Sequence, residues 1–161
     1  MCGIVGLYAF TESGKKFMAN MDASNQMLSK RGPDGGSVYQ HNKVTLGHRR
    51  LSIIDVSCAG DQPMHSMSGR FSIVFNGEFF NYQELRNRYF SDSEQKQLRS
   101  HSDTEVFLAL YEKLGKDTFE LLQGFFAAAI YDIEKEEIVL VRDRYGKKPL
   151  LIYQDDDKLL F

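Results

Sequence analysis

Phe125–Tyr131 (FFAAAIY), Ile138–Val141 (IVLV) and Leu150–Tyr153 (LLIY) decide the fold. Each stretch is short, apolar and β-prone, and each is bounded by polar residues. Glu134-Lys135-Glu136 joins the first two. A connection that short allows only antiparallel pairing, because a parallel pair needs a long crossover. The C-terminal third therefore reads as a meander. Asp155-Asp156-Asp157 turns the chain once more, and Leu159-Leu160-Phe161 begins a further strand at the last residue. A domain rarely ends inside an apolar strand. The expectation is that these residues are part of a longer protein.

The same short strands recur upstream. Cys2–Phe10 is apolar and β-prone. Val38–Gln40 and Val44–Gly47 flank a turn at His41-Asn42-Lys43, and Leu51–Ile54 is a further strand candidate. Phe71–Phe75 runs straight into Asn76-Gly77. Helices are fewer. Phe17–Leu28 puts Phe17, Met21, Ser24 and Leu28 on one face. Tyr82–Tyr89 reads as a short helix, and Phe119–Gln123 as another. Ser102-Asp103-Thr104-Glu105 is a capping-box pattern opening a helix that carries Val106, Leu110 and Leu114 and stops at Gly115. Two antiparallel sheets packed face to face, flanked by helices, would bury such strands.

The bulk numbers exclude several classes. A chain of 161 residues with 42% hydrophobic and 26% charged content is that of one soluble globular domain. Its formal net charge of −2 gives no pull toward nucleic acid or an anionic membrane. His48-Arg49-Arg50 is too short a basic run to alter that. No apolar stretch is long enough to span a bilayer, and no secretory signal is visible. Cys2 and Cys58 form neither a disulfide framework nor a metal-ligand spacing, so a reducing cytoplasm is the expected compartment.

Four segments, together with Arg50, can carry chemistry. Removal of Met1 would leave Cys2 with a thiol and a free α-amine on one residue. An α-amine titrates at about 7.7–8.0 and can act as a base near neutrality. Taken alone, Cys2 reads first as a buried strand cysteine that happens to lie early. Arg31-Gly32-Pro33-Asp34 is a rigid polar loop or a plain surface turn. Asn76-Gly77 is a hairpin turn, or else a pair of neutral donors, side-chain amide and backbone N–H, for an oxyanion. Asp103 either complements a helix N-terminus or binds an ammonium. Arg50 is either an exposed strand residue or a fork for a carboxylate.

Six motifs occur in order: Met1-Cys2-Gly3-Ile4-Val5-Gly6, Arg31-Gly32-Pro33-Asp34, Gly47 to Asp55, Phe75-Asn76-Gly77-Glu78, Ser102-Asp103-Thr104-Glu105, and Arg142 to Leu150. Together they resemble the class II glutamine amidotransferase domain of the asparagine synthetase family, an N-terminal nucleophile hydrolase. The resemblance spans the chain and implies an α+β fold, a four-layer α-β-β-α sandwich of two antiparallel sheets. It implies that Cys2 is the nucleophile, with Asn76 and Gly77 as oxyanion donors. Arg50 would bind the glutamine α-carboxylate and Asp103 its α-amine. Leu51, Ile53, Gly77 and Glu78 would line the pocket. Two departures stand out: Asp61 where His is frequent, and Phe79-Phe80 where an Ile-Tyr pair is usual. They are expected to affect the pocket mouth or a partner face.

The resemblance further implies that residues 1–161 hydrolyse glutamine and pass ammonia to a C-terminal synthetase domain. ATP and Mg would be used only there, with no cofactor or metal in these residues. Aspartate is the default acceptor, and a homodimer is compatible with the reading. Alternatives are the glutaminase domain of a sugar- or natural-product-amidating enzyme, or a degenerate interaction domain of the same fold. The intact set of Cys2, Arg50, Asn76, Gly77 and Asp103 argues against decay.

Overall fold

The computed structural model describes residues 2–53 and 57–161. Strand β1 (Gly3–Ala9) is followed by a helical segment: α1 (Glu12–Lys15), a 3-10 turn over Lys16–Asn20, and α2 (Met21–Met27). Next come β2 (Gly35–His41), β3 (Val44–Arg50), β4 (Met64–His65) and β5 (Phe71–Phe79). Helices α3 (Tyr82–Tyr89), α4 (Asp92–Gln95), α5 (Asp103–Leu114) and α6 (Thr118–Leu121) precede β6 (Gly124–Asp132), β7 (Glu137–Arg142), β8 (Tyr153–Gln154) and β9 (Lys158–Leu160).

The strands form two antiparallel sheets, one ordered β2-β3-β1-β9-β8 and the other β4-β5-β6-β7. Alternation along each strand sends side chains to opposite faces. On β5 and β6, Phe71, Ile73, Phe75, Phe126, Ala128 and Ile130 pack against Val106, Phe107 and Leu110 of α5. Their neighbours Val74, Ala129 and Tyr131 face Val44 and Leu46 of the other sheet. The outer face of that sheet, with Leu7 and Ala9, packs on Met18 and Met21. The layers are therefore helix, sheet, sheet, helix, the expected α-β-β-α sandwich.

Several local expectations change. The helix expected over Phe17–Leu28 starts earlier, where the Thr11 hydroxyl caps α1 by accepting from the Gly14 N–H at 3.1 Å, and it is broken by the 3-10 turn. The Ser102 side chain accepts from the Glu105 N–H at 3.2 Å, but the Glu105 carboxylate accepts from the N–H groups of Arg99 and Ser100 instead of closing the box. The complete capping box lies at Ser91 and Glu94. The strand expected over Leu51–Ile54 does not form at its first residues, because β3 ends at Arg50; Ile54, Asp55 and Val56 lie outside the described residues. Of Leu150–Tyr153 only Tyr153 is paired. Tyr153 pairs with Leu160 at the end of β9, and Leu150–Ile152 precede the strand. Asn76-Gly77 is no hairpin, since β5 continues through both to Phe79.

Candidate active site

The cleft is built at one end of the sandwich, where β1 begins and β3 ends. The Arg31–Asp34 loop holds both. Arg31 Nε donates to the Cys2 carbonyl at 3.2 Å. The Asp34 N–H donates to the Arg50 carbonyl at 3.0 Å, and the Asp34 carboxylate accepts from the Ser52 N–H at 2.8 Å. Gly32 lies so close to Arg49 that a Cβ there would meet its carbonyl oxygen at 2.4 Å. The loop is thus a clamp on the cleft floor, not an ordinary surface turn. The half-buried Cys2 Sγ sits beside Leu51, 3.4 Å from its nitrogen and 3.6 Å from its oxygen. Met1 lies outside the described residues.

β5 supplies the opposite wall. Asn76 is buried, and Gly77 packs so tightly on β6 that a Cβ would lie 2.1 Å from the Phe125 carbonyl oxygen. Any side chain at 77 would force the two strands apart. Phe126, across from Gly77, spends its N–H and C=O on Asp143, so Gly77 and Phe126 are a non-hydrogen-bonded pair. The N–H groups of Phe75, Gly77 and Phe79 therefore point to the free edge of β5. The Phe75 N–H donates to Gln62 Oε1 at 2.6 Å and the Phe79 N–H to Asp103 Oδ2 at 3.1 Å. Between them, the Gly77 N–H is directed into the cleft.

Asp103 is buried at the first turn of α5. Burial pushes its carboxyl up from 3.8 to about 6; the negative charge of Glu78 adds to this and the Phe79 N–H opposes it. Arg50 is buried as well, which excludes the exposed-strand reading. Its Nη1 donates to the Ser57 carbonyl at 2.7 Å and to Asp61 Oδ1 at 2.6 Å. On the same face of β3, His48 is fully buried and its pKa is lowered to about 4, mainly by burial, with the charge of Arg50 adding to it. It is neutral at pH 7.

Cys2, Arg50, Leu51, Ile53, Asn76, Gly77, Glu78 and Asp103 all line this one cleft, whose interior volume is about 70 Å³. Every residue given a catalytic or glutamine-binding role by the resemblance is brought together. Gln62, Thr104 and Lys148 also line it and were not anticipated. Gln62 binds the Phe75 N–H with its oxygen and Thr104 Oγ1 with its nitrogen at 3.3 Å, tying β5 to α5. Its only sequence signal was its place in Gly60-Asp61-Gln62-Pro63. Phe79 is not at the pocket mouth. It is a core residue packed on Phe107, while Phe80 is exposed against Phe125. Among the described residues, no group of three or more His, Cys, Asp or Glu side chains comes together to hold a metal ion, and no helix is long and apolar enough to cross a membrane.

A double-sheet sandwich with a cysteine at the head of its first strand and neutral donors on the facing strand defines a class. The chain belongs to the glutamine amidotransferase domain family, whose model matches residues 1–161. It is a class II glutamine amidotransferase domain related to those of the asparagine synthetases. It is 35% identical to asparagine synthetase B [glutamine-hydrolyzing] of Escherichia coli over 161 residues, 100% of this chain and 28% of that protein. It is 34% identical over 163 residues to asparagine synthetase [glutamine-hydrolyzing] 3 of Bacillus subtilis, covering 100% of this chain and 26% of the relative. The chain thus spans only about a quarter of the length of these relatives. In fold it is similar to glutamine phosphoribosylpyrophosphate amidotransferase from B. subtilis complexed with ADP and GMP, with a TM-score of 0.72 at 20% identity, over 99% of this chain and 41% of that one.

Proposed function

We propose that this cleft hydrolyses glutamine to glutamate and ammonia through a thioester on Cys2. The observation that carries the reading is convergence: Cys2, Arg50, Asn76-Gly77 and Asp103 come from separate stretches of the chain and line one cleft. Arg50 takes the α-carboxylate and Asp103 the α-ammonium, which leaves the side-chain amide directed at Cys2. The thiol passes its proton to the α-amine of Cys2, directly or through one water, and the sulfur attacks the amide carbon. The Asn76 amide and the Gly77 N–H hold the oxyanion; losing one such donor typically costs about 3–4 kcal/mol of barrier. As the tetrahedral intermediate collapses, the C–N bond breaks and the α-ammonium gives its proton to the departing ammonia. Water then cleaves the γ-glutamyl thioester, releasing glutamate and restoring the thiol. Leu51, Ile53 and Glu78 shape the pocket.

The same reading makes residues 1–161 one glutaminase domain supplying ammonia to an ATP-dependent synthetase domain in the same chain. Its support is the activity of the relatives, of which this chain matches about a quarter by length. The acceptor follows from that partner, with aspartate the first to test.

The α-amine carries the base role, so N-terminal processing decides activity. With Met1 attached, the Cys2 nitrogen is an amide and cannot accept the thiol proton. Protein whose intact mass begins at Cys2 is expected to release ammonia from glutamine, and protein retaining Met1 is not. Full turnover by the Met1 form would remove the α-amine as the base.

A further inference from the structure

We propose that Asp61 is an internal competitor for the α-carboxylate of glutamine and sets the affinity of the cleft. This rests on Arg50 being the carboxylate-binding residue. Asp61 presents to Arg50 the same chemical group that glutamine would bring, at 2.6 Å from Nη1. The pair is asymmetric. The Arg50 side chain is 10% exposed and that of Asp61 59% exposed. Arg50 is held in place by the Ser57 carbonyl, whereas Asp61 borders solvent.

The backbone around Asp61 is fixed. Its N–H donates to the Cys58 carbonyl at 3.1 Å, and the next residue, Gln62, is buried and bonded to Phe75 and Thr104. Rotation of the exposed Asp61 side chain would release Nη1 to a second carboxylate. That rotation costs the Arg50–Asp61 ion pair, and the cost is subtracted from every glutamine bound. While it persists, the pair also offsets the buried charge of Arg50. Asp61 is therefore a specificity and affinity residue that acts through Arg50, not a catalytic one.

The test compares parent protein, Asp61→Asn and Asp61→Glu, each with a verified Cys2 N-terminus. Asparagine keeps the shape and removes the charge. The KM for glutamine is expected to fall about fivefold, the equivalent of one partly exposed ion pair, while kcat stays the same. Asp61→Glu is expected to keep the parent KM. A merely structural role would raise KM or lower kcat; an unchanged or raised KM in Asp61→Asn overturns the proposal. Calorimetric titration of glutamine into Cys2→Ala, with and without Asp61→Asn, separates the two claims. Tighter binding with Asp61→Asn supports the competitor role without turnover. Equal binding overturns it alone, and no binding to either form overturns it together with the glutaminase reading.

Discussion

Replacing Cys2 with alanine is expected to abolish ammonia release, lowering kcat by more than about a thousandfold, as removal of a nucleophile does elsewhere. The fold should survive. Cys2 precedes β1, and its sulfur is half-buried with only weak contacts to the Leu51 backbone. The Arg31 bond goes to the Cys2 carbonyl, which alanine keeps. A truncation of this kind falls in the range of about 1 kcal/mol or less. Ammonia release and thermal unfolding on the same sample check both halves. Unchanged release would remove Cys2 from the chemistry.

Asp103→Asn should disable the site and stabilise the protein at once. Asparagine still accepts from the Phe79 N–H but no longer attracts an ammonium, so KM for glutamine should rise about 10- to 100-fold. The stability change follows from the raised pKa. The folded state binds the Asp103 proton more tightly than the unfolded state, so this group favours folding below 3.8 and loses that contribution as pH rises through about 6. At pH 7 the ionised, buried carboxylate costs about 3 kcal/mol, and asparagine removes that cost. His48 runs the other way: with its folded pKa lowered to about 4, its contribution is present above 6.5 and is lost as pH falls. In the parent the two offset between about pH 6 and 4. In Asp103→Asn the histidine loss stands alone, so the advantage seen in urea titrations at pH 7 should shrink on acidification. In the parent, kcat/KM should climb as pH rises through about 6, where Asp103 ionises. A variant less stable than the parent at pH 7 would contradict the burial argument.

Where the sequence was legible, it was because one local rule acted alone. Alternation on β5 and β6 sorts Phe75 from Val74 and Ala128 from Ala129 into two different cores, and the sandwich follows. The site was legible through motifs, each ambiguous singly: Asn76-Gly77 has the composition of a turn, and only the pairing of β5 with β6 through Phe79 makes it a wall of donors. Leu150–Ile152 differ from the expected strand: they are exposed or half-buried and only Tyr153 of that run is paired. Leu51 failed because β3 gives way at Arg50 to the segment clamped by Asp34 and Cys2. Gln62 and the Arg50–Asp61 pair were invisible because both depend on contacts made only in the folded chain. A polar residue in a Gly-Pro loop carries no sign of the buried N–H it will satisfy.

The central claim is that Cys2, and not the more exposed Cys58, attacks the amide carbon of glutamine. The most direct measurement uses a glutamine analogue bearing an electrophilic diazoketone in place of the amide, followed by peptide mass analysis and residual ammonia release. One label on Cys2, slowed by added glutamine and matched by proportional loss of ammonia release, is the predicted result. Labelling confined to Cys58, or ammonia release that survives full modification of Cys2, would contradict it.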